Sequence, residues 1–212
     1  NAPQNLAVAL QGARAHGDAT FLLYEGERYS FARVMDEVDG LAHLLVNTYG
    51  VKKGDRVAVA MRNFPEWIIS FAAIISVGAV NVSFNAWWTE DEMKFALEDS
   101  GAKVLIGDQQ RIDTAHHVAR AMGVKMLIVR PETEVGPDID EWTKVVKSGL
   151  GALVATAAPA AADGARPTSY ESVLDRVEPP VDGARVEVLG GDAFLEVTTR
   201  PGTEVLVPGY DG

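Results

Sequence analysis

The sequence predicts an α/β fold: a largely parallel sheet flanked by helices, with small antiparallel β elements near both ends. Two observations lead to this prediction. Between residues 56 and 129, the order strand, helix, glycine, strand recurs three times. The strand segments are apolar without strict alternation, as expected when helices cover both faces of a parallel sheet.

The amino-terminal elements have recognisable turn and cap residues. Two apolar stretches flank Glu25-Gly26-Glu27, which predicts a small hairpin. Ser30 then caps a helix, and Gly50 is placed to end it in the left-handed conformation. Steps of three and four residues put one apolar stripe on the core side of this helix. The stripe comprises Phe31, Val34, Val38, Leu41 and Leu45.

The next elements begin the strand–helix alternation. Residues 56–61 are a predicted buried strand, and Asn63 with Glu66 three positions later resembles a capping box. The helix at 67–77 is apolar nearly all round, so we expect it to be buried on most sides. Gly78 ends this helix, and residues 79–84 form the next predicted strand.

Two further repeats complete the predicted sheet. Thr89 and Glu92 form a capping box for a helix that Gly101 ends, and residues 103–107 follow as a third strand. Gly123 ends the next helix, and residues 124–129 are the fourth strand. The apolar stripe of that helix comprises Ile112, Ala115, Ala119 and Met122.

The chain divides into three predicted parts. Residues 1–148 form the α/β unit, and residues 138–149 at its end are predicted to be a short helix. Residues 149–167 are rich in alanine and glycine, which is typical of a linker or mobile loop. Residues 168–212 are predicted to form a short helix and a β-rich tail broken by glycine and proline.

Composition excludes several classes of partner. The net charge is −11 and the pI is about 4.8, which disfavours nucleic acid and anionic membranes. We expect no membrane span, because no apolar run approaches the ~20 residues that one needs. There are no cysteines, and the start of the chain lacks the basic region of a signal peptide. We therefore expect a cytoplasmic protein.

Common catalytic and metal motifs are not found. The sequence has no Gly-x-Gly-x-x-Gly after a strand, no Gly-Lys-Ser/Thr and no Gly-x-Ser-x-Gly. Adjacent His116 and His117 point about 100° apart on a helix, which favours structural roles. The acidic residues 90–92 suit the first turn of a helix, where the dipole favours carboxylates. We predict no metal site and assign no catalytic residue in this chain.

One aromatic cluster points to a binding site. Phe84, Asn85, Trp87 and Trp88 follow the carboxyl end of a predicted central strand. Ligands of parallel α/β sheets bind beyond these ends, so these four residues are candidate substrate contacts. The alternative is that both indoles pack on the neighbouring helix or cover a domain interface.

Four ordered segments resemble a known family. They are "GDRVAVAM", "NFPEW", "VGAVNVSFN" and "EDSGAKVLI", and their order and spacing are similar to the amino-terminal subdomain of adenylate-forming enzymes. This family includes the AMP-binding acyl-CoA synthetases, the luciferases and the adenylation domains of peptide synthetases, so luciferase-like or amino-acid activation are the subsidiary options. The segment "NAWWTEDE" resembles fatty acyl-CoA synthetases in particular, whereas Ser83 stands where relatives usually carry proline.

The resemblance implies a two-step ligase reaction. A fatty or other carboxylic acid is adenylated with ATP and Mg²⁺, and coenzyme A then takes the acyl group. The family's catalytic groups lie downstream of the matched region, so the remainder of the enzyme's own chain is an implied partner and this chain alone is expected to be inactive. A homodimer is left open. The alternative is a stand-alone α/β binding or interaction module that keeps the scaffold without the chemistry.

The resemblance also implies a phosphate-binding segment near the end of the chain. Thr198, Thr199 and Gly202 align with the second half of the family's phosphate loop. The Ser-Gly step, the intervening glycine and the loop lysine are missing, so this cofactor-binding segment is degenerate. An ordinary Pro-Gly hairpin at Pro201-Gly202 is the alternative.

Overall fold

A computed structural model describes residues 5–147 and 149 of the chain. Three predictions lie outside these residues. They are the rest of the predicted linker at 149–167, the helix and β-rich tail at 168–212, and the phosphate-binding segment with Thr198, Thr199 and Gly202.

The amino-terminal elements agree with their turn and cap residues. Helix α1 (Leu6–Gln11) and a 3-10 turn (Gly12–His16) lead to strands β1 (Thr20–Tyr24) and β2 (Glu27–Ser30), which pair antiparallel as predicted. Helix α2 (Phe31–His43) continues through a π-helical turn (Leu44–Thr48). The Ser30 hydroxyl accepts the Arg33 N–H at 3.2 Å, and Gly50 has φ +67°, which confirms both predicted roles.

The central sheet is parallel throughout, as the sequence predicts. Its strands are β3 (Arg56–Ala60), β4 (Val80–Ser83), β5 (Val104–Asp108), β6 (Lys125–Val129) and β7 (Ile139–Glu141). The helices between them are α3 (Pro65–Ser76), α4 (Glu90–Ser100) and α5 (Gln109–Ala121). The strand order is β4-β3-β5-β6-β7, so the carboxyl ends of all five strands lie at one edge of the sheet.

The segment predicted as one short helix at 138–149 begins differently. Residues 139–141 form β7, which pairs with β6 in the register Met126 to Ile139, and helix starts at residue 142. The prediction was wrong for the first residues. Backbone pairing with the otherwise unpaired side of β6 outweighs a weak local preference for helix. The helical part continues to residue 147.

The predicted cap of α3 was also wrong. Phe64, with extended backbone, occupies the N-cap position, and no side chain caps this helix. Pro65 is the first helical residue, where its fixed φ and missing N–H suit the helix start. Glu66 is buried and accepts hydrogen bonds from Arg130, so its carboxylate is committed to that contact.

Two hydrophobic clusters lie on opposite faces of the sheet. One packs α2, α3 and the helix at 142–147 against the sheet, and the other packs α4 and α5. Neighbouring Ile106 and Leu105 of β5 belong to the first and second cluster, respectively. Helix α3 is less enclosed than predicted, because Ile68 on its outer side is exposed.

The helices of this unit are short. The longest ordinary α-helices, α2 and α5, have 13 residues each. Over the part of the chain that the structure describes, no helix has the length and apolar character to cross a membrane.

Candidate functional site

The turn after β4 is built by Asn85 and by the cap of α4. The Asn85 side-chain oxygen accepts the Trp87 N–H at 2.9 Å, and its main-chain carbonyl accepts the Trp88 N–H at 3.2 Å. Thr89 and Glu92 then form the predicted capping box, with the Thr89 N–H donating to Glu92 at 2.8 Å. These local bonds fix where both indoles leave the backbone.

An apolar cavity of about 530 Å³ lies between β4 and α4. Phe84 and Trp88 contribute to its wall, and their ring centroids are 5.3 Å apart at 50°. The prediction that these residues follow a central strand was wrong for the described sheet, because β4 is its edge strand and pairs with β3 alone. The cavity therefore borders the unpaired side of β4. Its other apolar lining includes Val82 and Phe95, and its acidic lining includes Asp91, Glu92 and Asp99.

The structure divides the four predicted contact residues into two pairs. Phe84 and Trp88 meet in the cavity, whereas Asn85 shapes the turn and Trp87 lies outside the cavity wall. The Trp87 side chain is 80% exposed, and the Arg111 guanidinium lies 5.7 Å from its ring centroid. Substrate contact by any of the four stays a prediction.

A buried ion pair that the sequence analysis missed lies beneath this turn. Asp108 ends β5 and caps α5, and Arg111 Nη1 donates to both of its carboxylate oxygens at 3.3 Å. Arg111 Nε donates to the Ala86 carbonyl at 2.7 Å, and the Arg62 N–H donates to Asp108 at 3.0 Å. The pair therefore ties together the ends of β3, β4 and β5. A signal was present, because a polar residue ending a strand before a helix is a predictable cap.

A second missed cluster surrounds Arg130, just beyond β6. Its guanidinium donates to both oxygens of Glu66 at 3.0 Å and to Glu27 at 2.7 Å and 3.1 Å. The hydrogen bond from Arg130, helped by one from Tyr29, lowers the pKa of Glu27 to about 2. Burial, together with the bond to Glu27, raises the pKa of Tyr29. Residues so far apart in sequence give no local signal for this cluster.

Within residues 5–147 and 149, no three or more His, Cys, Asp or Glu side chains form a group that could hold a metal ion. His116 pairs with Asp138 at 3.0 Å, which favours the predicted structural role. At the carboxyl ends of the strands, Arg111 pairs with Asp108, and Arg130 pairs with Glu27 and Glu66. The exposed Arg62 guanidinium lies 4.0 Å from the same Asp108 carboxylate.

Comparison with known families defines the class of this protein. The family model described as AMP-binding enzyme matches residues 10–184, most of the chain. The chain therefore belongs to the AMP-binding enzyme family, as its four ordered segments suggested.

Curated relatives include acyl-CoA ligases. A 3-[(3aS,4S,7aS)-7a-methyl-1,5-dioxo-octahydro-1H-inden-4-yl]propanoyl:CoA ligase of Mycobacterium tuberculosis is 34% identical over 148 residues, which are 68% of this chain and 29% of that protein. A crotonobetaine/carnitine–CoA ligase of Salmonella paratyphi A is 31% identical over 103 residues, 46% of this chain and 20% of that protein. The chain thus spans less than a third of the length of either relative.

Solved structures share the fold. A coronafacic acid ligase from Pectobacterium brasiliense matches 68% of this chain and 29% of its own, with a TM-score of 0.61 and 20% identity. An anthranilate CoA ligase in complex with anthranoyl-AMP matches 70% of this chain and 29% of its own, with a TM-score of 0.62 and 20% identity. At these identities the likeness establishes the architecture.

Proposed function

We propose that this chain is the amino-terminal portion of an ATP-dependent acyl-CoA synthetase. The enzyme adenylates a fatty or other carboxylic acid and transfers the acyl group to coenzyme A. When bound, Mg²⁺-ATP supplies the adenylyl group and coenzyme A the thiol acceptor. Family membership supports the reaction class, and the names of the relatives support CoA as acceptor.

The observation that supports an acid-binding role is the apolar cavity beside β4. Its volume of about 530 Å³ lies in the range of small-molecule sites, and its wall is mainly apolar. An acyl chain matches such a wall, whereas the acidic residues along α4 disfavour a free carboxylate there. In this proposal Phe84 and Trp88 contact the acyl chain, while Asn85 and Trp87 form the turn that carries Trp88.

The described residues fit the acyl chain better than the nucleotide. Buried Arg111 and half-buried Arg130 are paired with carboxylates, so we place phosphate binding elsewhere in the protein. Thr198, Thr199 and Gly202 are our candidates within this chain, because hydroxyls and a glycine N–H are suitable phosphate donors. The missing loop lysine and glycines lead us to propose that the 212-residue chain alone is inactive.

Acid-dependent exchange of pyrophosphate into ATP tests this function. We expect exchange from the full-length protein with a matching acid, and none from the 212-residue chain. Reactions without acid or without Mg²⁺ are the controls. A full-length protein that contains a complete phosphate loop but supports no exchange with any acid class would contradict the proposal.

The alternative is a stand-alone α/β binding or interaction module. The pairing of Arg111 with Asp108 and of Arg130 with Glu66 favours it, since these two arginines are committed to contacts within the unit. An open reading frame that ends at Gly212, together with a melting temperature unchanged by ATP and acyl-adenylate mimics, would support this alternative. We further propose that the protein is cytoplasmic. We also propose that it can form a homodimer, which sedimentation of the purified protein would test.

A further inference from the structure

Arg111 is a buried arginine that contacts both a carboxylate and a backbone carbonyl. Its side chain is 3% exposed, and its closest contact, at 2.7 Å, is to the carbonyl of Ala86 rather than to a carboxylate. Ala86 directly precedes Trp87 and Trp88, and the Trp87 ring lies 5.7 Å from the guanidinium carbon. One side chain of α5 thus holds the backbone of the β4–α4 turn and faces one of its two indoles.

The surrounding charges fix the direction of this guanidinium. Asp108 accepts from Nη1 with both oxygens at 3.3 Å and also accepts the Arg62 N–H at 3.0 Å. Gln110 accepts from the same Nη1 at 3.1 Å. The Asp108 carboxylate therefore connects the ends of β3 and β5. Arg111, which donates to both this carboxylate and the Ala86 carbonyl, connects them to the turn after β4.

One donor of Arg111 is left unpaired by this arrangement. Nη2 is buried and has no hydrogen-bond partner within the described part of the chain. The hydrogen bonds of this guanidinium come from Nη1, which donates to Asp108 and Gln110, and from Nε, which donates to the Ala86 carbonyl.

We infer that Arg111 is a positioning residue that sets the acyl preference of the enzyme by holding the turn that carries Trp88 in the cavity wall. It acts through the Ala86 carbonyl and does not itself line the cavity. The inference rests on the proposed function, because it requires that the cavity beside β4 takes the acyl chain. Lysine is a poor replacement, since one ammonium cannot reproduce the planar fork that reaches Ala86 and Asp108 together.

The kinetic test compares Arg111→Lys, Arg111→Met and Trp88→Ala in the full-length protein on straight-chain acids of increasing length. We expect Arg111→Met to change the ratio of kcat/KM between long and short acids about tenfold. This is the low end of the discrimination that one methylene provides in an apolar pocket. The change should follow the direction of Trp88→Ala and appear in KM for the acid, with KM for ATP unchanged. Arg120→Lys, an exposed arginine on the same helix, is the matched control.

The outcomes separate this inference from the proposed function. If Trp88→Ala changes acyl preference and both Arg111 variants leave it unchanged, the inference is wrong and the cavity assignment stands. If acid-dependent exchange occurs but neither position affects preference, the cavity assignment fails and the inference with it. A double variant whose effect equals that of Trp88→Ala alone supports action through Trp88.

Hydrogen exchange measured on the full-length protein and its variants gives an independent readout. Loss of the Ala86 contact should accelerate exchange at the amides of Trp87 and Trp88, which donate to Asn85. Arg111→Lys covers the case in which Arg111→Met fails to fold. Acceleration spread evenly over β3, β5 and β6 would indicate a general loss of stability and overturn the positioning role.

Discussion

Arg130 shows how side-chain contacts outweigh backbone preference at one residue. Its φ is +47°, a left-handed conformation that costs a non-glycine residue about 1–2 kcal/mol. The guanidinium meets Glu27, Glu66 and the Tyr29 hydroxyl, and it lies 4.9 Å from the Tyr24 ring centroid. These side-chain contacts join the hairpin, α3 and the end of β6. They hold the hairpin against the sheet and offset the cost of the left-handed backbone at Arg130.

Replacing this arginine should leave a buried carboxylate without its partner. We expect Arg130→Met to lower the free energy of unfolding by about 3 kcal/mol, measured by urea denaturation at neutral pH. Methionine keeps the backbone strain, so the loss reports the side chain alone. Arg120→Met, with an exposed side chain, should change stability by less than about 0.5 kcal/mol. Equal losses from both variants would contradict this role of Arg130.

The lowered pKa of Glu27 predicts an acid-dependent contribution to stability. Its pKa falls from 4.5 to about 2 in the folded chain, so its contribution is present above pH 4.5 and is lost as pH falls towards 2. Glu27→Gln should therefore be less stable than the parent at pH 7. The difference should shrink between pH 4.5 and 2 in urea titrations. A difference that stays constant over this range would show that the charge of Glu27 is not responsible.

At the scale of elements, Gly40 decides how two helices meet. It lies in α2, where glycine normally weakens a helix, but an added Cβ would clash with the Val146 carbonyl oxygen in the helix at 142–147. The glycine is therefore explained by close approach of the two helices. No local pattern predicts this contact, because 106 positions separate the two residues.

Alanine at this position tests whether close approach outweighs helix preference. Helix preference alone would make Gly40→Ala more stable by about 0.5–1 kcal/mol. We expect a net loss of about 1–3 kcal/mol instead, because the clash is with backbone and cannot relax through a rotamer change. Gly12→Ala is the control, since Gly12 has φ −58° and nothing within 4 Å of an added Cβ. A more stable Gly40→Ala variant would refute the packing argument.

At the scale of the whole described unit, one sheet connects two cores. Leu105 and Ile106 are adjacent in β5 and fully buried, yet they belong to clusters on opposite faces. The parallel pairing of β5 with β3 and β6 links those clusters through the backbone. We therefore expect the two layers of helices to unfold together.

Single substitutions on either face test this coupling. Leu105→Ala and Ile106→Ala should each lower the free energy of unfolding by about 2–5 kcal/mol while keeping one cooperative transition. Leu23→Ala, at a leucine that is 76% exposed, should change it by less than about 0.5 kcal/mol. Two separate transitions by circular dichroism in either core variant would show that the faces unfold independently.

The sequence by itself determined the repeated elements, the parallel sheet and the turn that presents Trp87 and Trp88. These follow from local rules: apolar periodicity, the cap at Thr89, and glycines at left-handed positions such as Gly101. Tertiary structure alone decided the strand order, the added strand β7 and the partners of Arg111 and Arg130. The physical reason is that each of these features depends on contacts between residues far apart in sequence. The energies of such contacts cannot be predicted from a local sequence pattern.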